Sequence, residues 1–375
     1  MALKVGLAGI RGLSTLIGFR SLPDVEVTGF CELDAELLET EAKKHRIPQR
    51  FRIFEDMLTT DIDAVVIATP MHFHVPYALS ALEAGKHVLS EVPAGVSIDE
   101  LWWLIEAVEK YKKVYMLAEN YCYIPENKII EAMARKGLFG ELYFGEGEYL
   151  HDIKDWITYS NGKTSWRKYW QLGKRGLFYP THSLGPLMKW FQPDRIEAVC
   201  CLGSGWHTAE HLRQEDTSVT LCQLASGKLL KLRLDCISNR PHNLAYYSLQ
   251  GTKGCYEAPR AEGEAHKIWL LGMDRDTKSA RFRPLSDFSD FLPERYRNAT
   301  EAELAADHWG GDFFLIQDFY NAVANGTKPA IDVYEACEWT AVGLLSELSI
   351  MNRGRMMEMP QFQKDIPREG QVLKI

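Results

Sequence analysis

The amino-acid sequence predicts an α/β protein in two parts, a doubly wound parallel sheet over residues 1–120 and an α/β domain with a largely antiparallel open sheet over residues 121–375. Three observations carry this expectation. In the first part, short β-branched apolar runs alternate with helix-like stretches, the pattern of parallel strands joined by crossover helices. Beyond Asn120 the apolar runs follow one another without helices between them. The chain has 375 residues, of which 46% are hydrophobic, enough to bury a large core divided between two domains.

Taken in order, residues 3–8, 25–31, 64–68, 87–89 and 114–117 read as strands of the first domain, and 13–19, 35–45, 74–84 and 98–111 as its helices. The last of these opens on Ser97-Ile-Asp-Glu100, a capping box in which the serine and glutamate side chains satisfy free backbone N–H groups at the helix start. After Asn120 a helix over 126–136 leads into an alternating strand over 141–151, and then into a Trp- and Tyr-rich segment over 155–190. Strands over 196–202, 218–224, 229–234 and 244–250 follow, forming a sheet that needs cover on at least one face. Helical stretches over 313–324 and 333–351 either complete that cover or pack back on the first domain. Residues 275–307 are polar and weakly patterned, and read as a long surface excursion.

A net charge of −8 and an isoelectric point near 5.8 argue against a nucleic-acid partner, since phosphate recognition needs a clustered basic surface. A small-molecule substrate fits better. Residues 1–8 run straight into a strand-like stretch with no secretory signal, and no apolar run approaches the roughly 20 residues that cross a bilayer, so no membrane partner is expected. The eight cysteines are scattered, and the one close pair, Cys200 and Cys201, is adjacent rather than spaced as metal ligands or a redox pair. Free thiols in a reducing cytoplasm are the expectation, with no metal site.

The turn after the first strand reads Gly6-Leu-Ala-Gly9-Ile10-Arg11-Gly12-Leu-Ser14. A dinucleotide pyrophosphate meets the free N–H groups of a helix start at such a turn, so the first domain reads as a Rossmann domain with Gly9, Ile10, Arg11 and Gly12 at the cofactor. The fingerprint is degenerate: Arg11 stands where the second glycine belongs and Ser14 where the third belongs. Arg11 therefore either turns its side chain away or clasps the phosphates itself. Glu32 ends the second strand about 20 residues past Gly12, where a carboxylate accepts hydrogen bonds from the adenosine ribose hydroxyls and repels a 2′-phosphate. NAD is thus expected over NADP.

Further motifs extend the reading. They are Asp63-Ala-Val-Val-Ile-Ala-Thr69-Pro70-Met-His-Phe-His74, then Ala84-Gly-Lys-His87-Val-Leu-Ser-Glu91-Val92-Pro93, and Gly326-Thr-Lys-Pro329 near the end. With the N-terminal glycines, these make the chain resemble the glucose-fructose oxidoreductase, inositol dehydrogenase and rhizopine-catabolism family, Gfo/Idh/MocA, over nearly its whole length. The resemblance implies an NAD-binding Rossmann domain followed by an α/β domain whose open sheet often pairs two subunits, giving a homodimer or homotetramer, with the nicotinamide lying between the domains. It places Thr69, Pro70 and His74 along the dinucleotide, Glu91 and Pro93 at the nicotinamide ribose, and Asn120 closing the same site. Dehydrogenases of this family usually carry lysine where Val92 stands, and valine cannot transfer a proton.

A second departure is Gly176-Leu-Phe-Tyr179-Pro180-Thr181-His182, which resembles the NAD-dependent glycosidases of the same family more than its sugar dehydrogenases. Glu119-Asn-Tyr-Cys-Tyr123, Gly147-Glu-Tyr149-Leu-His151-Asp152 and His308-Trp-Gly-Gly-Asp312 point the same way. That branch oxidises a sugar hydroxyl at C3, eliminates the aglycone once the ketone has acidified C2, adds water at C1 and restores the hydroxyl. Such chemistry needs a base near C2 and a proton carrier for the C3 hydroxyl. His182 and Tyr179 are the first candidates and Tyr149 and His151 the next, each weighed against a core histidine or a packing tyrosine. Trp166, Trp170 and Trp190 fit sugar stacking or, more simply, core packing. Arg167 and Lys168 fit a hydroxylated substrate or a solvated face equally. A simple NAD-dependent sugar or cyclitol dehydrogenase and a non-catalytic NAD sensor remain the other readings.

Overall fold

The structure, a computed structural model, describes residues 2–276, 278–366, 368 and 371. The chain divides into two compact units, the first built mainly from Met1–Tyr123 with Ala299–Thr340 and the second from Ile124–Asn298 with Ala341–Gln361.

The first unit holds six parallel strands: β1 (Leu3–Ala8), β2 (Val25–Cys31), β3 (Gln49–Phe51), β4 (Ala64–Ile67), β5 (His87–Ser90) and β6 (Tyr115–Leu117). Their order is β3-β2-β1-β4-β5-β6, so the chain reverses its winding between β1 and β4, the place where such sheets bind dinucleotides. Val5, Leu7, Val65, Ile67, Val88 and Leu89 are fully buried or nearly so, as strands covered on both faces require. The helix Ile98–Tyr111 starts on Ser97, whose hydroxyl accepts from the Glu100 N–H at 3.2 Å. The Glu100 carboxylate reaches one residue further back than a simple box, accepting from the Val96 N–H at 2.7 Å.

The helix expected over 13–19 begins instead as a 3-10 turn, Ile10–Thr15, and becomes α-helical only over Leu16–Arg20. The hydroxyls of Ser14 and Thr15 bond back to the carbonyls of Arg11 and Gly12, at 3.0 and 2.7 Å, which tightens the turn. The strand β3 and the helix Phe54–Leu58 are also absent from the sequence reading. At three and five residues, both are too short to repeat a hydrophobic pattern twice. The helix Gly311–Asn325 belongs to this first unit, and it crosses Leu16–Arg20 at Gly18, where an added Cβ would lie 2.4 Å from Ile316 Cδ1.

The second unit is built on nine strands: β7 (Leu142–Leu150), β8 (Ile196–Gly203), β9 (Ser218–Leu224), β10 (Leu229–Asp235), β11 (Asn243–Gly251), β12 (Gly254–Glu257), β13 (Lys267–Leu270), β14 (Arg283–Pro284) and β15 (Met357–Glu358). Their order is β14-β13-β12-β11-β7-β10-β9-β8-β15, antiparallel throughout except for the parallel pair β7 and β10. One face carries Gly145, Gly147, Leu230, Leu232 and Leu249 against the fully buried helix Thr181–Trp190. The other carries Glu146, Lys231, Leu221 and Leu202.

Residues 275–307 are more ordered than the polar excursion expected of them. Apart from residue 277, which lies outside the described residues, they supply β14 and the short helical turns Leu285–Phe291, Glu294–Arg297 and Glu301–Leu304, with Leu285 and Tyr296 buried.

Candidate active site

In the first unit, β1 ends on Ala8 and the chain turns at Gly9, with φ +89°. A Cβ there would lie 2.4 Å from the Ala68 carbonyl oxygen at the end of β4, so only glycine lets the two strand ends pass this closely. Gly12 meets its nearest neighbour at ordinary contact distance, 3.4 Å, so the close approach rests on Gly9. Glu32 follows β2, and its carboxylate accepts from the N–H groups of Ile10 at 3.0 Å, Leu33 at 2.7 Å and Asp34 at 3.2 Å. It is therefore aimed at the glycine turn, 22 residues away in sequence.

Arg11 is exposed, and its side chain forms no hydrogen bond or ion pair among the described residues. Thr69 and Pro70 leave β4 half-buried. His74 is 2% exposed, with Nδ1 2.7 Å from the Pro93 carbonyl and Nε2 2.9 Å from the Thr69 carbonyl. Both ring nitrogens are thus engaged with backbone, and His74 braces the turn after β4 against the turn after β5. Burial lowers its pKa, while the two carbonyls raise it. Glu91 is half-buried, and Val92, between Glu91 and Pro93, is 5% exposed and apolar.

Asn120 is 7% exposed and lies 3.0 Å from His308 Nδ1 through Nδ2, and His308 Nδ1 is 3.0 and 3.1 Å from the two carboxylate oxygens of Asp312. Two buried polar atoms here, Thr69 Oγ1 and the Asn120 amide atom that points away from His308, have no hydrogen-bond partner. Buried polar atoms are almost always paired, so unpaired ones beside a cradle only glycine can form fit a bound dinucleotide.

In the second unit the alternation of β7 decides what gathers. Gly147 faces the helix Thr181–Trp190, and its Cβ would lie 2.0 Å from the Ser183 carbonyl oxygen. Tyr149 and His151 follow at the period of two and point the same way. The rings of Tyr149 and His182 are 5.3 Å apart, those of Tyr179 and His182 4.8 Å, and those of Tyr149 and Tyr179 5.7 Å. The four residues singled out in sequence are brought into one cluster. The Tyr149 hydroxyl is hydrogen-bonded to His151 Nδ1 at 2.6 Å. Burial, and after it the neighbouring His242, His182 and Arg167, push the His151 pKa down to about 4, so at neutral pH the ring is uncharged, with one donor and one acceptor nitrogen.

The helix that carries His182 is an irregular one. Pro186 lacks the N–H that would meet the His182 carbonyl one turn back, and the Tyr247 hydroxyl of β11 donates to that carbonyl instead. The segment leading into the helix is held from beneath: Arg175 pairs with the buried Glu215 at 2.6 Å, Gly176 N–H donates to the same carboxylate at 3.3 Å, and Leu177 N–H donates to Ser346 at 2.8 Å.

Four further residues extend or sort the sequence reading. His242, whose ring is 4.9 Å from that of His151, lies on an exposed loop that carries no sequence signal. Arg167 stacks on Trp156 and Trp166, at 5.0 and 4.6 Å, whereas Lys168 is exposed. Trp190 is core: it is 4% exposed, and its indole N–H donates to the Asn127 carbonyl. Among the described residues no group of three or more His, Cys, Asp or Glu side chains is placed to hold a metal, and no helix is long and apolar enough to cross a membrane. All eight cysteines are free.

Comparison with known proteins bears on both units. Residues 3–119 match the oxidoreductase family with an NAD-binding Rossmann fold, and residues 123–211 and 204–366 match the C-terminal domain of glycosyl hydrolase 109. An alpha-N-acetylgalactosaminidase of Shewanella oneidensis is 30% identical, over 96% of this chain and 85% of that protein. A glycosyl hydrolase family 109 protein of Shewanella pealeana is 28% identical, over 99% of this chain and 88% of that protein. Among solved structures, levoglucosan dehydrogenase in complex with NADH and levoglucosan shares the fold, with a TM-score of 0.78 and 19% identity over 96% of this chain and 100% of that one. An oxidoreductase domain protein from Kribbella flavida does so with a TM-score of 0.80 and 21% identity over the same shares.

Proposed function

The chain belongs to the glycosyl hydrolase 109 family and carries the NAD-binding Rossmann domain of the Gfo/Idh/MocA oxidoreductases, and from that premise we propose that it hydrolyses a glycoside with no net oxidation. Bound NAD supplies one capability, to take a hydride from the carbon bearing a sugar hydroxyl and later to return it. Gly9, Ile10, Arg11, Gly12 and Glu32, with Thr69, Pro70, Glu91, Pro93 and Asn120, are the residues we assign to holding it, and His74 to bracing two of its turns.

The protein's own groups have the remaining work. As the C3 carbon becomes a ketone, its hydroxyl loses a proton to a protein base. The ketone acidifies the C2 proton, a second base removes it, and the C1 bond to the aglycone breaks. Water adds at C1, the proton returns to C2, and the ketone is reduced again. The observation that carries the reading is the cluster of Tyr149, His151, Tyr179 and His182, where the Tyr149 hydroxyl is hydrogen-bonded to Nδ1 of a histidine held neutral at physiological pH. Tyr149 backed by His151 suits proton removal from carbon, and His182 with Tyr179 suits the hydroxyl. Val92 supports the assignment, because without lysine there the proton must go to another group.

An aryl N-acetylgalactosaminide is the first substrate to try, followed by other α- and β-aryl glycosides, free sugars and cyclitols. Aglycone release without accumulation of free NADH is expected, and reaction in heavy water should place deuterium at C2 of the released sugar. His182→Ala should abolish turnover while leaving NAD binding nearly intact. Stoichiometric NADH from a free polyol, with no aglycone release from any glycoside, would replace this reading with a simple dehydrogenase; NAD binding with no turnover would replace it with a sensor. We place the protein in the cytoplasm as a homo-oligomer, the first supported by its eight free cysteines and the second by the character of the outer sheet face.

A further inference from the structure

His308 lies outside the segments that bind a dinucleotide in a Rossmann domain, yet the first unit builds a great deal around it. His308, Trp309 and Gly310 adopt φ values of +56°, +58° and +81°, two of them on residues that pay for this conformation. Left-handed backbone is unfavourable for a non-glycine residue and persists only where its surroundings enforce it. Here it turns the imidazole back onto the first turn of the helix Gly311–Asn325, where Nδ1 meets both oxygens of the buried Asp312 carboxylate.

One nitrogen cannot donate to Asp312 and also accept from the Asn120 amide placed 3.0 Å away. The carboxylate is the stronger partner, so Nδ1 carries the proton and Asn120 turns its amide oxygen to the ring. The opposite nitrogen, Nε2, makes no hydrogen bond among the described residues, and the side chain is 21% exposed.

The charged groups facing this imidazole are Asp312 from its own helix, Arg11 from the turn after β1 and Glu91 from the turn after β5. Burial disfavours its charged form, but the hydrogen bond and charge of Asp312 outweigh burial and hold its pKa above the ordinary histidine range; Arg11 opposes and Glu91 assists. An imidazole so held keeps its second proton to higher pH than a free one and is the poorer acceptor for it, which argues against its taking a proton from a sugar hydroxyl. Arg11 and an imidazolium repel each other unless an anion lies between them, and Arg11 stands on the turn that receives phosphates.

We propose that His308, oriented by Asp312, donates through Nε2 to the phosphates of bound NAD and clasps them together with Arg11 of the glycine turn. The inference rests on NAD as the cofactor and not on which sugar chemistry follows.

Calorimetry of NAD binding to cofactor-depleted protein, with no sugar present, tests it. Between about pH 6 and 9, affinity should fall as pH rises, because the donor is present below the His308 pKa and lost above it. Binding should also take up protons, read from enthalpies in buffers of different ionisation heat. His308→Asn, a residue that tolerates left-handed backbone, should lose roughly tenfold in affinity at neutral pH together with the proton uptake. Asp312→Asn should move the fall in affinity to lower pH. Unchanged circular dichroism and melting would show that each variant is folded. A His308→Asn protein that binds NAD as the parent does would overturn the proposal. So would one that binds more weakly but with the same proton uptake, because the imidazole would then be only structural.

Discussion

Glu32 shows how much one side chain settles in this protein. Its carboxylate accepts three backbone N–H groups, one of them from Ile10 in the glycine turn, so the acid is fixed at the turn before any ligand arrives. A 2′-phosphate brought to the same place meets a negative charge held there by three donors. NAD should therefore bind more tightly than NADP, and Glu32→Ala should narrow the preference by on the order of tenfold, since both the repulsion and the ribose acceptor are removed. Competitive calorimetry with the two cofactors measures this, and equal affinities in the unaltered protein would remove Glu32 from its role. The spacing from Gly12 to Glu32 was visible in the sequence because strand length and turn length fix it locally. The bond from Ile10 was not, because it joins residues 22 positions apart across two strands.

At the scale of elements, β7 and the helix Thr181–Trp190 together place the cluster of Tyr149, His151, Tyr179 and His182, and their contact has little tolerance. The Cβ of Gly147→Ala would lie 2.0 Å from the Ser183 carbonyl oxygen, a backbone atom that moves only if the helix moves. At Gly145 the nearest atoms are side-chain carbons of Leu230, Phe191 and Leu187, at 3.1–3.3 Å, which can shift. Gly147→Ala should therefore lower stability by about 1–3 kcal/mol and Gly145→Ala by less. Urea midpoints compare them, and a Gly147→Ala protein as stable as the Gly145→Ala one would mean that the helix slides freely on the sheet. The strand was legible from its alternation. The helix was not: Gly185 and Pro186 interrupt it, and all ten of its residues are buried, so no polar face marks its period.

At the scale of the whole molecule, the outer face of the nine-stranded sheet mixes charge with exposed apolar side chains. Lys231 pairs with Glu146 at 2.6 Å and Arg260 with Glu148 at 3.3 Å, while Leu202, Leu221 and Leu229 are 60%, 37% and 37% exposed. Three leucines on one sheet face are a surface that self-association would cover, and the charges between them would then set the register of two copies. Light scattering at micromolar concentration should report a dimer or a dimer of dimers, and Leu221→Lys should shift it toward monomer. A monomer in the unaltered protein would count against this assembly.

The sequence by itself determined what depends on neighbours along the chain: the parallel strands of the first domain, the glycine turn with its distant acid, the antiparallel run after Asn120 and the motifs that carry the family. Each rests on a short-range period, a turn chemistry or a fixed spacing, and such signals survive being read one segment at a time. Only the tertiary structure decided that the helix Gly311–Asn325 joins the first unit, that the Tyr149 hydroxyl is hydrogen-bonded to His151, and that His308 is shared between Asp312 and Asn120. These contacts join residues from turns and strands that fold topology alone brings together. Their proton chemistry then follows from burial and partner charge, which no periodicity in the chain encodes.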